Sequence, residues 1–237
     1  MNEKVQLIDG GTFKVVQSDS MWKDFEFGVP TNVSTCFDDF YSYVAADWTV
    51  TETDAGATQA LATSAPCKNG VLLVTNANAD NNLVSMQKVG HSVTPTAGTN
   101  IYFETRFQVN TATQVDVLFG LIITDIDPIT SITDGIVFRK DDGDTNIDFC
   151  TMASSVTSTE TAIGTLTADT YVTLGFKVTG TSLVEYFVNG TKQGELTTCI
   201  PTTPLRVTMT FQDGDTGAVV GAQTMSIDYV FISQTRI

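Results

Sequence analysis

Apolar and polar residues alternate along most of the second half of the chain, and a period of two predicts β-strands. The segment IYFETRFQV, residues 101–109, places its apolar side chains on one face and Glu104, Arg106 and Gln108 on the other. The segments YVTLGFKV at 171–178 and LRVTMTF at 205–211 repeat the pattern. Such strands are typical of a sheet with one buried face. The same reasoning predicts that MSIDYVF, residues 225–231, buries Met225, Ile227, Tyr229 and Phe231.

Two further segments complete the β pattern. VDVLFGLII, residues 115–123, is apolar at nearly every position, which predicts a central strand covered on both faces. SLVEYFVNGTKQGEL, residues 182–196, predicts a hairpin that reverses at Asn189-Gly190, because Asn-Gly tolerates the positive φ of tight turns. Asp-Gly pairs at 134–135, 142–143 and 213–214 predict further reversals. No window shows a sustained helical period, and a short helical turn is expected only near residues 20–24.

These strands and turns predict an all-β fold, a sandwich of two antiparallel sheets over residues 36–237. Residues 1–35 lack regular alternation and hold Gly10-Gly11 and Pro30, which predicts an extended N-terminal arm. The alternative is a leading strand and loop of the same domain.

The hairpin VEYFVNG, residues 184–190, resembles the YVNG-type hairpin of concanavalin A-like jelly rolls. Laminin G-like modules, legume lectins and many glucanases share that fold. YVTLGFKVTG before the hairpin and MSIDYVFISQTR at the end of the chain fit the order near the close of such a domain. The resemblance covers about residues 36–237 and implies the fold rather than an activity.

Charge narrows the classes of partner. The chain has 12 basic and 27 acidic residues, and a net charge of -15 repels phosphate backbones and anionic lipid. Nucleic acid and membrane surfaces are therefore not expected as partners. The N-terminal segment lacks the apolar run of a signal peptide, so no export signal is expected. Cys36, Cys67, Cys150 and Cys199 are widely spaced, which favours buried thiols, with one or two disulfides as the alternative.

Candidate catalytic residues are few. Glucanases with this fold carry an ExDxxE pattern on one strand, and the sequence lacks it. Glu104 and Glu185 lie on predicted strands and form the one carboxylate pair considered for glycoside hydrolysis, although a solvated sheet face explains both. His91 is the only histidine and is expected in a surface loop, because no GxSxG motif accompanies it.

Clustered aspartates raise the question of calcium. The loop DDGDTNID, residues 141–148, supplies several carboxylates, and Asp141, Asp142 and Asp144 are the candidate ligands. The spacing does not match an EF-hand. Asp and Asn also favour turns because their side chains bond to nearby backbone groups, so the loop has an explanation without an ion.

The composition and architecture resemble bacteriophage virion proteins. This resemblance implies a non-enzymatic capsid decoration or cement protein, located in the virion and made in the host cytoplasm. Its expected partners are the major capsid protein and neighbouring copies of itself. Trp22, Phe25 and Phe27 of the arm are the predicted contact residues. The alternatives are a glycan- or receptor-binding virion module and, third, a glycoside hydrolase with an unrecognised motif.

Overall fold

The computed structural model describes residues 5–7, 13–15, 19–27, 32–63, 70–77, 79–214 and 222–236. Within these ranges the regular secondary structure is almost entirely β-strand, and the strands pair antiparallel. The short helical turn expected near residues 20–24 is instead a pair of hydrogen-bonded turns, Lys23 N to Ser20 O and Phe25 N to Trp22 O. A one-turn 3-10 helix spans Ala45–Asp47. None of the described residues forms a helix long and apolar enough to cross a membrane.

Two large sheets form the sandwich. The seven-stranded sheet has the order β13-β12-β11-β10-β17-β8-β5. Its strands are β5 (Trp48–Glu52), β8 (Leu83–Lys88), β10 (Val115–Ile122), β11 (Gly135–Lys140), β12 (Asn146–Ala153), β13 (Val156–Thr165) and β17 (Arg206–Asp213).

The eight-stranded sheet has the order β16-β15-β14-β9-β18-β7-β6, and β4 also pairs with β18. Its strands are β4 (Val33–Asp38), β6 (Thr58–Leu61), β7 (Leu72–Thr75), β9 (Asn100–Val109), β14 (Val172–Thr179), β15 (Leu183–Val188), β16 (Thr191–Leu196) and β18 (Thr224–Thr235). A separate three-stranded sheet joins β1 (Val5–Leu7), β2 (Phe13–Val15) and β3 (Glu26–Phe27).

The main hydrophobic core lies between the two large sheets. Phe107 of β9 stacks on Phe119 of β10 at 4.2 Å between ring centroids, which joins one sheet to the other. Phe149 of β12 stacks on Tyr186 of β15 at 4.5 Å. The alternation predicted for residues 101–109, 171–178 and 205–211 is confirmed, since their apolar faces enter this core. The predicted sandwich and its concanavalin A-like jelly-roll architecture are correct.

The central strand β10 is buried at every position, as its continuous apolar sequence predicts. Its Gly120 has a steric reason, because a Cβ there would lie 2.2 Å from the backbone oxygen of Ile136 on β11. The predicted hairpin at residues 182–196 is also confirmed as β15 and β16. Asn189 and Gly190 take the positive φ values of 50° and 73° that its turn requires.

One prediction for the last strand is wrong. Met225 and Ile227 of β18 enter the core, but Tyr229 and Phe231 lie on the opposite face, and Val230 and Ile232 replace them inside. The register with β9 shifts between Ile227 and Tyr229. A β-bulge adds one residue to a strand and thereby exchanges its two faces, which simple alternation cannot show.

The predicted arm includes residues that pack on the sandwich. Met21 is buried against the outer face of the eight-stranded sheet, where a Cβ on Gly175 would lie 2.5 Å from its sulfur. The Tyr102 hydroxyl donates to Lys23 O at 3.0 Å. Strand β4 begins at Val33, so the last residues of the predicted arm belong to a sheet. The domain boundary at residue 35 stays a prediction.

Candidate functional site

The outer face of the seven-stranded sheet carries a second, smaller apolar cluster. Side chains that alternate with the core residues meet on this face, because neighbouring strands keep their alternation in register. The cluster consists of Leu83, Leu118, Ile122, Ile129, Val137, Cys150 and Met152. All but Ile129 come from strands, and Ile129 belongs to the β10–β11 connection, which packs over the face.

Gln87 of β8 fixes the start of that connection to the sheet. Its side-chain amide donates to Ile123 O at 3.1 Å and to the Thr208 hydroxyl at 3.0 Å. Its Oε1 accepts the Asp125 N–H at 3.0 Å. Gln87 is only 4% exposed, so these bonds satisfy a buried amide and hold the connection in one position.

Between the connection and strands β11–β13 lies a cleft of about 300 Å³. Apolar side chains from the smaller cluster line part of its wall. The polar residues that line it are Thr130, Ser131, Arg139, Asp141, Asp148, Thr157 and Thr159. The cleft thus combines an apolar surface, hydroxyl groups and charged groups of both signs, a set of groups suited to a polar ligand with apolar faces.

Arg139 lies among the charges of the cleft. It is opposite Asp148 in the β11–β12 register, and its guanidinium binds the Asp141 carboxylate. The same guanidinium donates to Ile129 O at 3.0 Å. Asp148 accepts the Ala162 N–H at 2.7 Å. Two carboxylates and one cation therefore line the cleft, and each is positioned by a bond to the protein.

The signal for these residues in the sequence is weak. Asp148 was expected in a loop with Asp141, but it belongs to β12, which begins at Asn146. Arg139 alternates with Val137 on the outer face, and Asp148 alternates with Cys150. The usable signal is a charged residue at a strand position where alternation otherwise places apolar side chains on the outer face of the sheet.

The structure does not bring the predicted calcium ligands Asp141, Asp142 and Asp144 together. Asp141 pairs with Arg139, and Asp144 accepts both the backbone N–H and the side-chain amide of Asn146 at 2.7 and 3.1 Å. Across the described ranges no group of three His, Cys, Asp or Glu side chains is placed to hold a metal ion. Calcium at this hairpin stays a prediction that the geometry does not support.

Glu104 and Glu185 both lie on the outer face of the other sheet, on β9 and β15, with β14 between them. Glu104 accepts the Tyr229 hydroxyl at 2.6 Å, and Glu185 accepts from Lys192 at 2.7 Å. Burial raises the pKa of Glu104, and the Tyr229 hydrogen bond partly opposes that rise. The two carboxylates have separate partners and do not form a common site.

Two of the predicted contact residues of the arm, Trp22 and Phe25, pack against the protein's own side chains. Trp22 stacks on Tyr102 at 6.2 Å, and Phe25 is 8% exposed beside the same ring. Phe27 lies in β3, and its side chain is outside the described part of the structure. A contact between these residues and another molecule stays a prediction.

His91 and the cysteines are also placed. His91 is half-buried, and its Nε2 lies 3.4 Å from the Ser34 hydroxyl. Cys36, Cys150 and Cys199 are free thiols, and Cys67 lies outside the described residues. Cys150 is buried, as predicted for the cysteines, whereas Cys36 and Cys199 are partly exposed.

Solved structures similar to this chain are mainly glucanases. An endo-1,3-beta-glucanase from Streptomyces sioyaensis matches with a TM-score of 0.60 and 15% identity over 87% of this chain and 98% of the other. A Bacteroides ovatus mixed linkage glucan GH16 protein matches at 0.63 and 13% over 83% and 99%. Peanut lectin matches at 0.55 and 13% over 86% and 98%.

No protein-family model matches the sequence, and no curated protein does. At these identities the similar structures establish the fold, a concanavalin A-like jelly roll. The prediction of a non-enzymatic bacteriophage decoration protein is wrong, because the neighbours are mostly glycoside hydrolases and none of those named is a virion protein. Fold resemblance alone could not separate the two functions. The expected capsid partner and virion location stay predictions without support.

Proposed function

We propose that this chain acts on a polysaccharide as a glycoside hydrolase, with the cleft on the outer face of the seven-stranded sheet as its active site. The observation that carries the proposal is the presence of two carboxylates, Asp141 and Asp148, in one cleft of about 300 Å³. The glucanase names of the similar structures give the substrate class. A glycoside hydrolase was the third alternative from the sequence, but with Glu104 and Glu185 as its carboxylates.

Hydrolysis of a glycosidic bond uses one carboxyl group to protonate the leaving oxygen and another to attack the sugar or activate water. Asp148 lies opposite Arg139 in the β11–β12 register, and Asp141, just after β11, binds the Arg139 guanidinium. The two aspartates therefore lie beside one arginine and line one cleft, as a pair of catalytic carboxyl groups requires.

Other groups in the cleft fit a sugar. The hydroxyls of Thr157 and Thr159 can donate to and accept from sugar hydroxyls. The apolar side chains of Ile129 and Met152 can pack against the C–H face of a pyranose ring. Arg139 lies beside both aspartates and can bind a ring hydroxyl or hold a carboxylate in place.

The test is a reducing-sugar assay on β-1,3-, β-1,4- and mixed-linkage glucans with the purified chain. Asp148→Asn and Asp141→Asn are each expected to lower kcat by about 10²–10⁴, the usual contribution of a positioned acid or base. Asp169→Asn is the matched control, because Asp169 does not line the cleft. If no glucan is cleaved, or if both cleft variants keep full activity, the proposal is wrong.

Glycan binding without cleavage is the second candidate. It is favoured by the absence of an ExDxxE strand and by the Arg139 guanidinium, which already neutralises one of the two carboxylates. One of the structures similar to this chain is a lectin from peanut. Retention on an immobilised glucan without release of sugar would favour this second function.

A further inference from the structure

A buried carboxyl group that does not line the cleft lies at the end of β17. Asp213 is 0% exposed, and its Oδ1 accepts the side-chain amide of Asn76 at 3.0 Å. Its second oxygen, Oδ2, is buried and has no hydrogen-bond partner among the described residues. A bare buried carboxylate oxygen is costly, so a group that contacts Oδ2 would stabilise the fold.

The neighbouring amide has the same deficit. Asn76 is 1% exposed, and its Nδ2 donates to Asn82 O and to Asp213, each at 3.0 Å. These two acceptors fix the orientation of the amide, because a flip would place Oδ1 against two oxygens. Asn76 Oδ1 is buried and also lacks a partner in the described part of the chain. Two buried oxygens, Asp213 Oδ2 and Asn76 Oδ1, therefore lack a hydrogen-bond donor within the described part of the chain.

The charge of Asp213 is not neutralised by the protein. Within the described ranges no basic side chain forms an ion pair with it. Asp80 adds a second negative charge nearby. The pKa of Asp213 is raised to about 6, chiefly by burial and also by the charge of Asp80, while the Asn76 bond opposes the rise. At neutral pH a buried anion beside another anion attracts a cation.

The surrounding loops hold these groups rigidly. Asn82 Oδ1 accepts the Ala77 N–H at 2.8 Å, and the Asp213 N–H donates to Asn82 O at 3.1 Å. The Leu83 N–H donates to the Thr53 hydroxyl at 2.9 Å, which ties in a third loop. The 76–82 loop and the end of β17 therefore meet at Asn76 and Asp213, and Thr53 anchors the end of that loop, so the site is formed only in the folded protein.

We propose that Asp213 Oδ2 and Asn76 Oδ1 are ligands of a divalent calcium ion, with the exposed carboxylate of Asp80 as a third ligand. Calcium takes six to eight oxygen ligands and accepts carboxylates, amide carbonyls and water in irregular geometry. The ion would neutralise Asp213 and satisfy both buried oxygens at once. Its proposed ligands do not include the aspartates of the Asp141–Asp144 hairpin, and the proposal does not depend on the glycoside hydrolase function.

The experiment measures the melting temperature of the purified chain in 1 mM EGTA and in excess calcium, at pH 7.5 and at constant ionic strength set with KCl. Calcium at about 100 times its Kd is expected to raise Tm on the order of 5–10 °C. Isothermal titration calorimetry with calcium chloride gives the stoichiometry, expected to be one. The KCl control is needed because the net charge of -15 lets any cation screen repulsion.

Two variants test the ligands. Asp213→Asn removes the buried charge, and its new amide can donate to Asn76 Oδ1, so it is expected to fold and to lose the calcium response. Asp80→Asn changes an exposed residue and is expected to weaken calcium binding at least tenfold. Asp169→Asn removes the same charge elsewhere and is expected to respond like the parent. No calcium-dependent rise in Tm for the parent, or an equal rise in all three variants, would overturn the proposal.

Discussion

Arg139 of β11 lies directly opposite Asp148 of β12, on the sheet face that lines the cleft. The Arg139 guanidinium also binds Asp141 and donates to Ile129 O at 3.0 Å, so one side chain joins the Asp141 carboxylate to the β10–β11 connection. This arrangement explains why the cleft is a defined space and leads to the first prediction.

Arg139→Lys is expected to keep the charge but to lose one of the two bonds, since a lysine cannot reach both acceptors with a planar fork. The expected cost in the free energy of unfolding is about 1 kcal/mol, because the pair is partly exposed. Urea unfolding measures it. Arg206→Lys is the control, because Arg206 does not line the cleft. An equal loss of stability in that variant would contradict the role assigned to Arg139.

Gln87→Met is expected to loosen the β10–β11 connection. The variant keeps the volume of the side chain but removes the bonds to Ile123, Asp125 and Thr208, so two partly buried backbone groups and the Thr208 hydroxyl each lose a bond. The expected cost is about 1–3 kcal/mol. Hydrogen exchange should become faster at the Asp125 amide. Gln212→Met, which removes one bond to Asn81 O on the same sheet face, is expected to have a smaller effect.

Trp22→Ala tests the packing of residues 19–25 on the eight-stranded sheet. Trp22 stacks on Tyr102 and contacts Phe231 edge-on at 5.1 Å between centroids. Loss of these contacts from a partly buried tryptophan is expected to cost about 2 kcal/mol. Thermal unfolding measures the loss, and Trp22→Phe should recover part of it. A Tm equal to that of the parent would mean that this segment contributes no stability.

His91 gives a pH dependence with a definite sign. Burial lowers the pKa of His91 below its usual 6.5, and the charge of Lys88 lowers it further. The unfolded chain therefore binds this proton first as the pH falls, so the His91 contribution to stability is present above pH 6.5 and is lost below it. NMR of the only histidine measures the pKa directly.

His91→Gln supplies the control for this effect. The variant has no titrating group at the position, so its Tm should fall less than that of the parent between pH 7 and pH 5. A His91 pKa at or above 6.5, or equal acid sensitivity of the two proteins, would contradict the prediction.

The strands can be predicted from the sequence alone, because a period of two depends only on which side chains prefer the interior. The sequence also predicts that β10 is covered on both faces and that the chain turns at Asn189-Gly190, since each signal is local. The prediction from alternation is wrong for the second half of β18, because one extra residue between Ile227 and Tyr229 exchanges the two faces of the strand.

The candidate sites, by contrast, depend on how distant segments pack together. The bond between Asn76 and Asp213 joins residues 137 positions apart. The pair Asp213-Gly214 predicts only a turn, but the fold buries the Asp213 carboxyl group. Arg139 and Asp148 meet because β11 and β12 pair in one register, and Gln87 reaches the β10–β11 connection because β8 lies two strands from β10. Hydrophobic alternation selects the buried face of a strand, but the pairing of distant strands selects which polar groups become neighbours.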